Sequence, residues 1–240
     1  MKKIALGILL LCVAALQLPA QSRVTVNGTA ALSTSYLWRG DRVTGLHAAP
    51  DIQFHIGNLT LENYSFLALD GSYKEIDLDV SYTIGDFTVH AADYFYRYSS
   101  YTFPENYFSW SKYDTTHIDE LALVYESSAI PLIAKWFTFV WGDWIPNADG
   151  SRGKPSFSSY LELAAWHEFG NVCRGSLIAG ASVFKGSYTN YTQNFMPIHL
   201  EARLNKSFEL GAVKFPVSFS FVVNPYTLTC WTALSAGVSF

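Results

Sequence analysis

Residues at both ends of this chain alternate strictly between two chemical characters. Toward the C-terminus, Leu228, Cys230, Thr232, Leu234, Ala236 and Val238 fall on one face, and Thr229, Trp231, Ala233, Ser235, Gly237 and Ser239 on the other, with Phe240 last. Near the N-terminus, Val24, Val26, Gly28, Ala30, Leu32, Thr34, Tyr36 and Trp38 alternate with Thr25, Asn27, Thr29, Ala31, Ser33, Ser35, Leu37 and Arg39. A period of two is the mark of a strand with two different surroundings, here lipid on one side and a lumen on the other. Two such strands at opposite ends can pair with each other. That pairing leaves no open sheet edge, which a membrane requires. The expectation is a transmembrane antiparallel up-and-down β-barrel.

Residues 1–20 read as an export signal rather than structure. Lys2 and Lys3 precede a short apolar run from Ile4 to Leu18, and Ala20 suits the residue before the cut, making Gln21 the expected mature start. The run is too short for a spanning helix. Cys12 lacks the small residue before it that lipoprotein processing needs. Residues 21–240 then form one domain. Losing Lys2 and Lys3 takes the formal charge from −4 to −6, which argues against a nucleic-acid partner. Half the residues are hydrophobic, yet no later segment offers 18 consecutive apolar residues, as interleaving in a barrel demands. Aromatic residues at 16% suit the girdles at two membrane interfaces. Cys173 and Cys230 are expected at opposite membrane faces, beyond disulfide reach.

Segments of about ten residues are joined by connections that alternate in length. The short ones are 56–59, 83–86, 127–131, 169–174 and 206–211; the others are mostly longer, at 40–49, 69–74, 99–117, 143–156, 186–196 and 224–226. Five periplasmic turns and six outer loops imply about twelve strands, with both termini in the periplasm. Asn63-Tyr64-Ser65 and Ala91-Ala92-Asp93 interrupt the alternation, so bulges or strand ends are expected there. A secreted β-sandwich is the competing fold. The long strands, the lipid-grade apolar faces and the aromatic end count against it.

Three stretches carry a family resemblance. The first is Ser35-Tyr36-Leu37-Trp38-Arg39-Gly40 followed by Ala49-Pro50-Asp51-Ile52-Gln53; the second is Glu75 through Phe87 with Tyr94-Phe95-Tyr96 after it; the third is the pair of mid-strand acids Glu120 and Glu162. In these the chain resembles the TorF-type porin family of outer-membrane barrels. Tyr98-Ser99-Ser100 departs from the tyrosine-proline turn such proteins tend to place there. The resemblance implies a porin-like role in a bacterial outer membrane.

Alternation points Arg39, Asp51, Glu75, Asp77, Asp79, Glu120, Glu126, Glu162, Glu168, Glu201, Arg203 and Lys214 inward, because a charge on the lipid side is costly at the membrane midplane. Arg39 and Arg203 opposing Glu75, Asp77, Asp79, Glu120, Glu162 and Glu201 are the expected pore lining. The acid excess implies a mild cation preference, which Glu120→Gln with Glu162→Gln should reduce. The same charges also suit a rigid network that fills the lumen, since twelve strands lie between filled barrels and open porins. Aromatic residues of the outer loops (Tyr98, Tyr101, Phe103, Tyr107, Phe108, Trp110, Tyr113) suit either a girdle or sugar stacking.

The function expected is passive diffusion of small hydrophilic solutes or ions, with no catalytic residues, metal or cofactor. Membrane lipid is the surrounding partner, and outer-membrane assembly machinery would recognise Phe240. Two alternatives stay open. A lipid-modifying enzyme would use His47, His117 or His199 with a nearby serine, although no Gly-x-Ser-x-Gly is present. A closed adhesin or scaffold would need a plugged lumen. His55, His90 and His167 lie toward the periplasmic end, away from outer-leaflet chemistry. No His/Cys pair has zinc spacing, and residues 143–154 do not complete a calcium loop.

Overall fold

The computed structural model describes residues 23–101 and 106–240. The expected export signal and Cys12 lie outside these residues. In chain order the strands are β1 (Val24–Ser33), β2 (Tyr36–Trp38), β3 (Asp41–Thr44), β4 (His47–Ile56), β5 (Leu59–Ala68), β6 (Tyr73–Ile84), β7 (Phe87–Tyr98), β8 (His117–Glu126), β9 (Leu132–Trp141), β10 (Trp144–Pro146), β11 (Arg152–Pro155), β12 (Ser159–Glu168), β13 (Arg174–Ser182), β14 (Met196–Leu210), β15 (Val213–Asn224) and β16 (Thr229–Ser239). Twelve of them form one closed barrel; β2–β3 and β10–β11 are separate two-stranded hairpins.

Every barrel neighbour is antiparallel, and β1 closes the sheet by pairing with β16, Thr29 opposite Ser239 through Ser33 opposite Ser235. Beyond that ladder, the Gly28 N–H donates to the Phe240 carbonyl at 3.2 Å and the Phe240 N–H donates to the Gly28 carbonyl at 3.0 Å. The Phe240 ring lies on Gly28 so closely that a Cβ there would meet the ring at 2.5 Å. Glycine at position 28 is therefore what lets the aromatic ring lie across the seam.

The outer wall is apolar. Phe54, Leu61, Leu78, Val89, Leu121, Leu123, Leu163, Leu177, Leu200, Leu204, Phe219, Phe221 and Leu234 are all exposed on it. Such a continuous surface would drive association in water and is the expected band against lipid. Among the described residues no helix is long and apolar enough to cross a membrane, which says nothing against crossing by strands. The two cysteines among the described residues are free, Cys173 in the turn before β13 and Cys230 at the start of β16.

Two expectations are corrected. β5 and β7 run unbroken through 63–65 and 91–93, in continuous register with β6. Asn63 is tolerated on the outer face because its amide donates to the Asp77 carbonyl at 3.1 Å. The register shifts lie elsewhere, at Gly180/Ala181 and Asp119/Glu120. More consequentially, β1 stops at Ser33, whereas the alternation suggested one strand up to Arg39. Thr34 leaves the wall while still bonded to Leu234, its N–H donating to the Leu234 carbonyl at 3.0 Å. Residues 36–44 then turn into the lumen as the β2–β3 hairpin. The reason is burial: Tyr36 stacks on Phe66 at 3.7 Å between ring centroids, and Trp38 stacks on Phe139 at 6.1 Å. These aromatic residues gain a packed interior that a rim position would not offer.

Candidate functional site: a plugged, charged lumen

The β2–β3 hairpin turns at Arg39 and Gly40, both with positive φ (48° and 95°). A Cβ on Gly40 would sit 1.9 Å from the Ile198 carbonyl oxygen, so the tip presses backbone to backbone against β14. Asp41 adds a tether, accepting from the Asn224 amide at 3.0 Å. Gly40→Val combines a clash with a disfavoured φ, and should lift the hairpin tip off β14. Faster protease cleavage between residues 34 and 46 of the folded barrel, relative to the parent, is the expected result.

The turn delivers Arg39 into the middle of the barrel. Its guanidinium makes a two-pronged bond to Glu120, Nη1 to Oε2 at 2.6 Å and Nη2 to Oε1 at 2.7 Å. The Tyr94 hydroxyl donates to the same carboxylate at 2.8 Å. Around the guanidinium stand the rings of Phe137 at 4.3 Å, Trp38 at 4.6 Å and Tyr160 at 4.9 Å. Tyr188 comes from the single 3-10 turn among the described residues, Ser187–Thr189, which also folds inward, and its hydroxyl accepts from Arg39. Burial pushes the Tyr188 hydroxyl well above its ordinary pKa, so it keeps its proton. Burial works against the Arg39 charge, but the adjacent Glu120 outweighs it and holds the guanidinium protonated.

The lumen-facing acids divide into two groups. On β8, β12 and β14 each has a base. Glu120 has Arg39; Glu162 has Lys135 at 2.9 Å; Glu201 has Arg203 at 2.6 Å and His199 at 3.0 Å. On β4, β5 and β6 stand Asp51, Glu62, Glu75, Asp77 and Asp79. Their neighbours are one another, Glu75 against Asp77 and Asp51 against Glu62, and neutral donors, with Gln53 donating to Asp51 at 3.1 Å and to Glu62 at 2.8 Å, and Tyr73 donating to Glu75. Asp79 faces His90 at 3.4 Å. Among the described residues, no lysine or arginine forms a salt bridge to these five. The lumen is therefore lopsided, with an acidic wall facing a wall of paired charges.

All eight expected lining residues reach the lumen. Arg39 arrives there on the hairpin, and the other seven on the barrel wall. Glu126, Glu168 and Lys214 share inward positions but lie exposed at the short-turn end. Sequence reading missed Glu62, masked by the irregular 63–65 stretch, and Lys135, set in a segment apolar on both faces. Tyr188 carried no periodic signal at all.

One group of ionisable residues faces the opposite way. Asp93, His117 and Asp119 lie on the outer side of β7 and β8, beneath the connection that follows β7. His117 Nδ1 meets Asp93 Oδ1 at 2.6 Å, its Nε2 meets the Tyr107 carbonyl at 2.5 Å, and Trp110 stacks on the ring at 4.0 Å. This cover keeps His117 off the membrane, with only 1% of its surface exposed. Of the other histidines weighed as catalytic, His47 Nδ1 bonds the Gly45 carbonyl, and His199 bonds Tyr160 and Glu201. Among the described residues, no serine hydroxyl bonds any of the three.

No protein-family model matches this sequence, and no curated protein matches it. Solved structures that resemble it are outer-membrane porins and channels. An outer membrane channel from Pseudomonas putida F1 aligns at TM-score 0.45 and 11% identity, covering 93% of this chain and 97% of that one. A KdgM porin aligns at 0.45 and 9%, covering 91% and 98%. The CymD monoaromatic hydrocarbon channel aligns at 0.40 and 11%, covering 91% and 88%. At these values the likeness is one of barrel architecture; the chemistry of this lumen has to be read from its own side chains.

Proposed function

We propose that this protein is a channel of the bacterial outer membrane, of the TorF type, that passes small hydrophilic solutes or ions by passive diffusion. In this reading residues 1–20 direct export, residues 21–240 form the one barrel domain, and Phe240 is the handle for assembly machinery. The lining is Arg39, Glu75, Asp77, Asp79, Glu120, Glu162, Glu201 and Arg203, acting electrostatically, with no catalytic residue and no cofactor. The observation that carries the reading is the lopsided lumen. A filler network would be expected to pair its charges, since an unpaired buried charge costs stability and contributes none. Here one whole wall is left acidic.

Cation preference then belongs to the β6 wall rather than to Glu120 and Glu162, which are each held by a base. Asp77→Asn with Asp79→Asn should move the reversal potential in a potassium chloride gradient toward zero. An unchanged reversal potential in a conducting double variant would remove these two from the lining.

The seated hairpin supports a second reading, a closed scaffold barrel. Single-channel recording of the refolded protein in a planar bilayer separates the two. Discrete cation-preferring steps support the channel, and silence from a folded barrel supports the scaffold.

A further inference from the structure

We propose that Lys74 and Arg97 form a seat for the phosphate group of an outer-leaflet lipid, at the long-loop rim of the barrel and on its outward side. The site has no part in the lumen, so it stands whether or not the barrel conducts.

Alternation places the two bases. Glu75, Asp77 and Asp79 take inward positions of β6, which leaves Lys74, Ile76, Leu78, Val80, Tyr82 and Ile84 outward. Lys74 pairs with Arg97 of β7 on one side and with Leu67 of β5 on the other, so these three form one outward row across three strands. Among the described residues, the outward positions of the barrel strands hold one other lysine or arginine, Lys206, in the short-turn half of β14.

Their height suits a headgroup. Ten residues separate Lys74 from Ile84. At about 3.3 Å each and a tilt of about 40° they rise about 25 Å, the height of the apolar band on such a barrel. Lys74 and Arg97 therefore stand at the upper edge of that band, with Ile76 and Leu78 exposed beneath them. A base at this level on the lipid side meets headgroups, and the apolar wall below it meets their acyl chains.

A cavity of about 420 Å³ opens beside the pair, a volume in the range of small-molecule sites. Leu67 and Gly71 line it from the β5 side, Lys74 from β6, and Arg97 and Ser99 from β7. Its rim is held by backbone, the Ser99 N–H donating to the Ser72 carbonyl at 2.9 Å. Arg97 is oriented by Nη2, which donates to the Tyr101 carbonyl at 3.1 Å. Asp70, the acid of the adjoining turn, does not line the cavity; its Oδ1 accepts from the Ser72 N–H at 2.9 Å. Like charges directly opposite on neighbouring strands repel, and an anion seated between them replaces that repulsion with attraction. A lysine, an arginine and a serine hydroxyl supply a point charge, a planar fork and a neutral donor, which together suit a phosphate.

The test is native mass spectrometry of the full-length barrel, refolded in detergent, with dimyristoyl phosphatidic acid as the probe. Dimyristoyl glycerol carries the same chains without the phosphate, and sodium phosphate carries the anion without the chains. Retention of the phosphatidic acid is expected, with no retention of dimyristoyl glycerol and no displacement by sodium phosphate at equal concentration. Lys74→Gln with Arg97→Gln should weaken the binding about tenfold or more. Lys214→Gln with Arg23→Gln removes the same two charges at the exposed short-turn end and should bind as the parent does. The electrophoretic shift between folded and heated barrel verifies each variant; should the first pair not fold, the single Lys74→Gln is read in its place, with weaker binding expected. Phosphatidic acid binding that is absent, or equal in the two double variants, overturns the proposal. Displacement by sodium phosphate at equal concentration overturns it in favour of a free-anion site. Dimyristoyl glycerol held as strongly as the phosphatidic acid overturns it in favour of an acyl-chain groove.

Discussion

Arg39→Ala should make this barrel markedly more conducting. Arg39 is the point where the hairpin, the β8 wall and the 3-10 turn meet. Removing it leaves the Glu120 carboxylate, only 1% exposed, with the Tyr94 hydroxyl as its remaining hydrogen-bond partner. Breaking a buried, two-pronged pair by deleting one member typically costs about 3–5 kcal/mol. The aromatic rings around the guanidinium lose their cation as well, and a desolvated contact of that kind is worth about 2 kcal/mol. These losses fall on the hairpin, because the wall is held independently by twelve ladders of backbone hydrogen bonds. The expected outcome is therefore a hairpin that leaves its seat and a several-fold rise in single-channel conductance, with the barrel still folded by its electrophoretic shift. Arg39→Lys keeps the charge but not the fork, and should fall between the two. Parent-like conductance in a folded Arg39→Ala barrel would mean that the hairpin is held by Tyr36, Gly40 and Asp41 without help from the ion pair.

The second large effect is expected at the seam. Gly28→Val would place a branched side chain where the Phe240 ring already lies, with contacts of 2.5 and 2.7 Å from the first carbon alone. The ring must then swing away or the last residue of the ladder must separate. Overpacking of this kind costs about 1–3 kcal/mol. It falls at the closure of the barrel, where a frayed end exposes unpaired backbone groups to lipid. The temperature at which the folded electrophoretic band disappears should drop clearly. Phe240→Ala in the same chain should recover part of that loss by vacating the space. A double variant no better than Gly28→Val alone would place the strain elsewhere than the ring.

Alternation along the strands determined the barrel. It requires two unlike surroundings, and with apolar residues of lipid grade on the outward face a closed sheet supplies these to every strand without leaving edges. The same alternation told inward from outward for Glu75, Asp77, Asp79, Glu120, Glu162, Glu201 and Arg203, because each sits among apolar neighbours that fix its face. It failed where tertiary contacts outrank the period. Tyr36 and Trp38 continue the pattern of β1 yet leave the wall, because Phe66 and Phe139, far away in the chain, offer them a buried stack. Asp93 and Asp119 keep the outward parity that the pattern assigns them, at a face where charge is costly, because the connection between β7 and β8 folds back over them, which the period of the strands does not show. Which acids have bases was likewise invisible, since Arg39 and Glu120 are 81 residues apart and meet only when the hairpin folds inward. Local periodicity thus set the wall and its faces, while contacts between distant segments decided what fills the lumen and which of its charges are left unpaired.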